Sequence, residues 1–223
     1  EETSFTTSGG LGESETAGLV MNVVPKTGGN TIHGSAFYSG SGKNLQADNT
    51  EGIAGIAAPT PLTKIYDLKG ADGGPILQDK LWYFATARTQ GSTRVNANMF
   101  YNLNAGDPTK WLYLGGPGIS EPGFSDRTWD NISGRITWQV TPRNKFGAYW
   151  DEQWVCRNCE GATIGITTPP VASPEAIGPG QTLPLRVPQV TWSSPVTNRL
   201  LLDAGFGGTY YGWGNFERED NTT

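Results

Sequence analysis

The sequence has 223 residues, enough for one large domain or two small ones, and carries a formal net charge of −5 from 16 basic and 21 acidic side chains. Glycine, proline, tryptophan and tyrosine are abundant and histidine occurs once, which is typical of strands and turns and predicts an almost pure β protein. The acidic balance, without a basic stripe interleaved with aromatic residues, argues against nucleic acid as a partner.

The N-terminal segment differs from the rest of the chain. It ends in "GLVMNVVPK" (18–26), a nearly continuous apolar strand of the kind that is usually buried on both faces. The chain begins at Glu1 without a secretory leader, so we expect that leader either to have been removed or to lie upstream in a longer precursor. Residues 1–27 therefore suit a globular element that precedes a sheet.

About seven strands with a two-residue alternation come after this segment. The clearest is "DNISGRITWQV" (130–140), in which Ile132, Ile136 and Trp138 share one parity and the other parity is fully polar. "TPRNK" then makes a turn into "FGAYWDEQW", which predicts a hairpin. The predicted strands lie in 28–49, 64–76, 79–90, 130–140, 146–154, 186–192 and 199–211.

The connections between these strands alternate in length. Short turns (LQDK, TPRNK, SSPVTNR) alternate with long polar segments at roughly 41–63, 91–127 and 156–185. Transmembrane β-barrels show this asymmetry, with strands that are apolar toward lipid and polar toward the lumen. A soluble sandwich or a secreted lectin-like domain also alternates. We favour the barrel, because loops of this length are uncommon in compact soluble domains.

Two motifs carry a resemblance to a known family. "GLVMNVVPKTGGNTIHGSAFY" and "GADGGPILQDKLWYFATAR" resemble the junction of plug and barrel in TonB-dependent outer-membrane receptors, particularly the Oar-like branch with carboxypeptidase-regulatory-like N-terminal domains. The residues that match the two patterns are Lys26, Gly28, Asn30, His33 and Gly34 in the first, and Gly73, Gly74, Pro75, Ile76, Asp79, Lys80 and Phe84 in the second.

The resemblance implies a fold and a function. Residues 1–27 would be the end of the plug domain, and residues 28–223 the N-terminal part of an antiparallel transmembrane β-barrel in the bacterial outer membrane. Because the family's barrels have about 22 strands, we expect a segment of a longer receptor. The implied partners are outer-membrane lipid, the TonB energy-coupling complex and an unknown nutrient ligand taken up through the outer loops.

A different class of protein remains open beside this one. A secreted all-β adhesion or structural module could assemble through exposed strand edges, which readily pair with other chains. Neither alternative requires catalytic activity, a cofactor or a metal.

His33 is the sole histidine and supports no triad or metal cluster, so a structural role in the lumen is predicted. Asp151 and Glu152 are adjacent in a strand and should point to opposite faces, which excludes an acid–base pair.

The two cysteines, Cys156 and Cys159, form a C-x-x-C pair. Half a zinc knuckle or a redox pair has the same spacing, but the pair comes after a strand and a second half is missing. We predict a local disulfide at the base of a long loop, in an oxidising exterior.

Tryptophans offer the remaining candidate sites. Four lie near predicted strand ends, where their rings favour the lipid headgroup region: Trp82, Trp138, Trp150 and Trp154. Three others are candidates for ligand contact on the outer side, as a platform for carbohydrate: Trp111, Trp129 and Trp213.

Overall fold

A computed structural model describes residues 2–6, 20–24, 26–47, 62–155, 173–176 and 180–215. In these ranges the protein is all-β, as the sequence predicts, apart from two single 3₁₀ turns at Lys43–Leu45 and Pro174–Ala176. Within the same ranges no helix is long and apolar enough to cross a membrane. The strands are β1 (Glu2–Thr6), β2 (Val20–Val24), β3 (His33–Gly42), β4 (Leu62–Leu77), β5 (Leu81–Phe100), β6 (Pro122–Thr141), β7 (Asn144–Val155), β8 (Gly180–Thr197), β9 (Leu200–Gly207) and β10 (Tyr210–Asn215).

Strands β3 to β10 form one antiparallel sheet in which each strand pairs with its neighbour in the chain as far as β9. Strands β9 and β10 both pair with β8 on the edge opposite β7, so they act as one strand interrupted near Gly208. The sheet therefore has about seven strand positions, as predicted. It is open, because among the described strands β3 does not pair with those at the far edge.

Strands β1 and β2 belong to a separate two-stranded sheet, with Glu2 opposite Val24 and Thr6 opposite Val20. The apolar run predicted as a strand at 18–26 thus contains β2. This pairing links the two ends of the N-terminal segment, 1–27, to each other.

Connections at one end of the sheet are short and those at the other end are long. Residues 78–80, 142–143 and 198–199 make the short turns, as predicted. At the other end β3 ends at Gly42 and β4 begins at Leu62, residues 101–121 join β5 to β6, and β7 ends at Val155 while β8 begins at Gly180, so the predicted boundaries 91–127 and 156–185 were too wide. Strands β5 and β6, of 20 residues each, continue well into the segment expected to be a loop.

One face of the sheet carries the predicted apolar parity, interrupted at Asp72 of β4, which accepts a hydrogen bond from the Tyr83 hydroxyl. Cross-strand partners on this face include Tyr83, Ile136, Ala148 and Val190 in a single row. These side chains are largely uncovered: Ile136 is 48% exposed and Val190 is 51% exposed. In the described part of the chain no large side chain is fully buried, so the sheet has no conventional core.

The opposite face is polar. Its rows contain serine, threonine, asparagine, lysine and arginine, as in the row Lys69, Arg88 and Asn131. Trp82 also lies here, opposite Thr137, so its assignment to the lipid-facing aromatic belt is wrong. Trp138 and Trp150 do lie on the apolar face, and are 50% and 45% exposed.

Candidate functional site: the junction clamp and the polar face

The two sequence motifs meet at the short-turn end of the sheet. Asn30, just before β3, donates from Nδ2 to Oδ1 of Asp79 over 2.5 Å. The Asn30 Oδ1 atom accepts hydrogen bonds from the Asp79 backbone N–H at 3.0 Å and from Trp82 Nε1 at 2.7 Å. Asp79 has a φ of 62°, a left-handed conformation that Asp tolerates in turns. We call Asn30, Asp79 and Trp82 the junction clamp.

Glycines allow this close approach. A Cβ at Gly28 would collide with the carbonyl oxygen of Tyr83 and would lie 3.1 Å from the carbonyl oxygen of Gly74. A Cβ at Gly74 would come within 2.8 Å of Ile32 Cγ1. Gly29, by contrast, has nothing within 4 Å of a Cβ. The backbone before β3 therefore lies directly against the β4–β5 hairpin.

His33 is the first residue of β3 and lies at the same end of the sheet. Its Nδ1 atom is 3.0 Å from the carbonyl oxygen of Thr31, to which an Nδ1–H would donate. Its ring centroid is 6.5 Å from that of Phe84. Among the described residues no group of three or more histidine, cysteine or carboxylate side chains is arranged to hold a metal.

The polar face contains a concavity of about 570 Å³ next to the junction clamp. Basic side chains line it, and we call it the basic concavity. Lys69 and Arg88 lie opposite each other in β4 and β5. Arg88 is paired bidentately with Asp67, from Nε at 2.9 Å and Nη2 at 2.7 Å. Lys26 and Arg135 also line this concavity, so its electrostatics favour anionic groups.

A buried carboxylate anchors the next strands of the same face. Asp151 is 7% exposed and accepts hydrogen bonds from Asn131 Nδ2 at 2.8 Å and from Gln153 Nε2 at 2.6 Å. Its neighbour Glu152 lies on the other face, where its Oε1 atom is 3.0 Å from Arg186 Nε. The two carboxylates point to opposite faces, as predicted, and form no acid–base pair.

A second, smaller cavity of about 280 Å³ lies further from the short turns. Gln90 and Trp129 lie directly opposite each other, and Arg127 and Ser92 form the next row of the same face. All four line the cavity together with Asp67. Trp129 is 37% exposed, and its Nε1 atom donates to Gln153 Oε1 at 3.3 Å.

The three tryptophans predicted as ligand contacts are not brought into one site. Trp129 lines the cavity just described, whereas Trp111 lies in the 101–121 connection and is 90% exposed. Trp213 is in β10, and its side chain lies outside the described part of the chain. Cys156 and Cys159 also lie outside the described residues, so their disulfide stays a prediction.

The 101–121 connection has an organised backbone. Asn102 Oδ1 accepts hydrogen bonds from the backbone N–H groups of Asn104 at 3.1 Å and Leu114 at 2.9 Å. Further along, Asp107 Oδ1 accepts from the Thr109 backbone N–H at 2.9 Å and from Thr109 Oγ1 at 2.6 Å. These two bonds and the nearby Lys110 ammonium lower the pKa of Asp107 below its ordinary value.

Sequence reasoning found the motif residues but missed what they do together. Asn30 and Asp79 were each singled out by a motif, yet their mutual bonds and the Trp82 bond depend on the register between β3, β4 and β5. Gln90 and Arg127 were not singled out, because a polar residue in a polar stretch carries no distinguishing pattern.

Comparisons with known proteins give one informative similarity. The chain is 32% identical over 93 residues to the TonB-dependent transporter Oar of Myxococcus xanthus. The match covers 38% of this chain and 8% of the length of Oar. No protein-family model matches the chain. No solved structure matches it either. The chain is therefore distantly related to a TonB-dependent transporter.

Proposed function

We propose that the chain is part of a TonB-dependent receptor of the bacterial outer membrane, in the Oar-like branch. In this proposal residues 28–223 form the first strands of a larger transmembrane barrel and residues 1–27 end its plug domain. The receptor binds a nutrient at its outer loops and imports it with energy from the TonB complex. The proposal assigns no catalytic residue.

The observation that carries the proposal is the uncovered apolar face. On β6 this face is apolar from Val140 to Ile132 and becomes charged at Asp130. At ~3.4 Å per residue and a barrel tilt of ~40°, that distance corresponds to a band about 20 Å high. The lipid-facing band of outer-membrane barrels is about 25 Å high. A bilayer would therefore cover this face.

Above this band the same face becomes hydrophilic. Thr89 Oγ1 donates to Asp130 Oδ1 at 2.7 Å, and Thr93 Oγ1 donates to Asp126 Oδ1 at 2.9 Å. Such paired polar groups suit strands that project into water beyond the headgroups. The long connections lie at this end, so we assign it to the cell exterior and the short turns to the periplasm.

The junction clamp has a defined place in this proposal. It ties the backbone that leaves residues 1–27 to the first periplasmic turn through Asn30 and Asp79. Residues before Gly28 could then move with the plug during uptake while β3 stays in place, because the junction clamp and the close contact at Gly28 hold the start of β3 against the β4–β5 hairpin.

The orientation can be tested by labelling lysines on intact cells with an amine reagent too large to cross the outer membrane. Lys110 in the 101–121 connection is exposed, with 61% of its side chain accessible, and should react. Lys80, exposed in the 78–80 turn, serves as the matched control and should react only after the membrane is permeabilised. Labelling of Lys80 but not Lys110 on intact cells would contradict the proposed orientation.

The unpaired edges of the described sheet, at β3 and at β9 with β10, favour a second candidate, a secreted module that assembles edge to edge. The two functions differ in their need for a membrane. A receptor should fractionate with the outer membrane and need detergent to stay dispersed, whereas a secreted module should stay folded in plain buffer.

A further inference from the structure

We infer that the cavity beside Trp129 binds one ring of an acidic carbohydrate at the mouth of the barrel lumen. The inference rests on the proposed function, because the lumen exists only in a closed barrel. Four groups carry it: the Trp129 indole, the Arg127 guanidinium, the Gln90 amide and the Asp67 carboxylate.

Trp129 supplies a flat apolar surface that lines the cavity. The residue is 37% exposed, and its Nε1 atom donates to Gln153 Oε1 at 3.3 Å, which restricts rotation of the indole. A rigid aromatic ring offers a large contact area at a low cost in side-chain entropy. The apolar C–H face of a sugar ring fits such a surface.

The groups around this ring are polar and available. Gln90 and Arg127 have no hydrogen-bond or ion-pair partner among the described residues, although both line the cavity and neither is fully exposed. Side chains that protein groups leave unsatisfied are suited to bind a ligand. Asp67, held by Arg88, adds a carboxylate that accepts hydrogen bonds from hydroxyl groups.

Arg127 decides the class of sugar. A guanidinium binds a carboxylate through two parallel, charge-assisted hydrogen bonds, and this geometry selects a uronic acid over a neutral sugar. The volume of about 280 Å³ is at the lower limit of pockets that enclose drug-sized ligands, so it fits one ring of a longer chain.

The position of the cavity agrees with capture from outside. Trp129 precedes Asp130, which marks the upper limit of the apolar band on the other face of β6. The cavity therefore lies at the height where the wall leaves the lipid. An incoming polysaccharide would meet Trp129 before it reached the basic concavity around Lys69 and Arg88.

The test uses the full-length membrane protein that contains this chain, purified in detergent, and measures binding of trigalacturonate by calorimetry. Its methyl ester serves as the neutral probe. We expect Arg127→Gln to weaken trigalacturonate binding roughly tenfold, as for loss of a charge-assisted hydrogen bond, and to leave the weaker ester binding unchanged. Trp129→Ala should weaken both probes, whereas Trp138→Ala, on the apolar face of the same strand, should weaken neither.

Three results would overturn the inference: equal affinity of the wild-type protein for acid and ester, unchanged trigalacturonate affinity in Arg127→Gln, or displacement of trigalacturonate by inorganic phosphate at equal concentration, which would indicate a general anion site. Arg127→Lys keeps the positive charge. Binding retained by this variant would show that the loss in Arg127→Gln does not come from misfolding. Insertion of the same samples into lipid vesicles is measured in parallel. Protein that inserts but does not bind refutes the carbohydrate site alone, and protein that does not insert refutes the receptor function.

Discussion

An arginine at Ala148 should destabilise the protein far more than an arginine at Ala71. Ala148 lies on the apolar face, exposed between Ile136 and Val190. Ala71 lies on the polar face, where it lines the basic concavity opposite Thr86. The starting residue and the introduced residue are the same in both variants, so the comparison isolates the environment that each face meets.

The expected magnitude depends on the height of Ala148 in the apolar band. It lies opposite Ile136, midway between Ile132 and Val140, which limit the band on β6. An arginine at the midplane of a membrane barrel costs about 2–4 kcal/mol on the lipid side. At ~1.4 kcal/mol per tenfold, this lowers the ratio of folded to unfolded protein by roughly 30- to 700-fold. At Ala71 the arginine reaches the aqueous lumen, and we expect less than ~1 kcal/mol.

The free energy of unfolding is measured by urea titration of the full-length protein in phosphatidylcholine vesicles, with tryptophan fluorescence as the signal. Thr137 shares the polar parity but is unsuitable as a control, because it is only 4% exposed between Trp82 and Gly147. Equal costs at Ala148 and Ala71, or a larger cost at Ala71, would refute the assignment of the apolar face to lipid.

Two further predictions concern the ends of the sheet. Gly28→Ala should lower the free energy of unfolding by about 1–3 kcal/mol in the same titration, because its Cβ would collide with the Tyr83 carbonyl oxygen. Gly29→Ala should be nearly neutral. Similar free energies of unfolding for the two variants would argue against the close approach at Gly28. In the 101–121 connection, the Asp107 carboxylate titrated by carbon NMR should show a pKa below its ordinary value, and Thr109→Ala should raise that pKa. Since the pKa of Asp107 is lower in the folded than in the unfolded state, its contact with Thr109 stabilises the turn at pH values above the ordinary aspartate pKa, and this stabilisation is lost as the pH falls through the folded pKa. An Asp107 pKa that Thr109→Ala leaves unchanged would contradict this.

The positions of strands, and which side chains share a face, could be predicted wherever apolar and polar residues alternate in the sequence. Ile132, Ile136 and Trp138 share a face because successive side chains in a strand point to opposite sides. The short turns were also predictable, since proline and asparagine interrupt the alternation at 141–145. The lengths of β5 and β6 were not, because beyond Thr89 and Asp130 the apolar residues are few and do not alternate, although backbone pairing continues there.

The sequence by itself determined the β class, the number of strand positions and the polarity of each face, because these depend on local chemistry and a two-residue period. Only the tertiary structure decided which distant residues meet. The pairing of Asn30 with Asp79 across 49 residues, and of Trp129 with Gln90 across neighbouring strands, is set by register. A shift of one residue would have turned each of these side chains to the opposite face, and no property of the separate segments specifies that alignment.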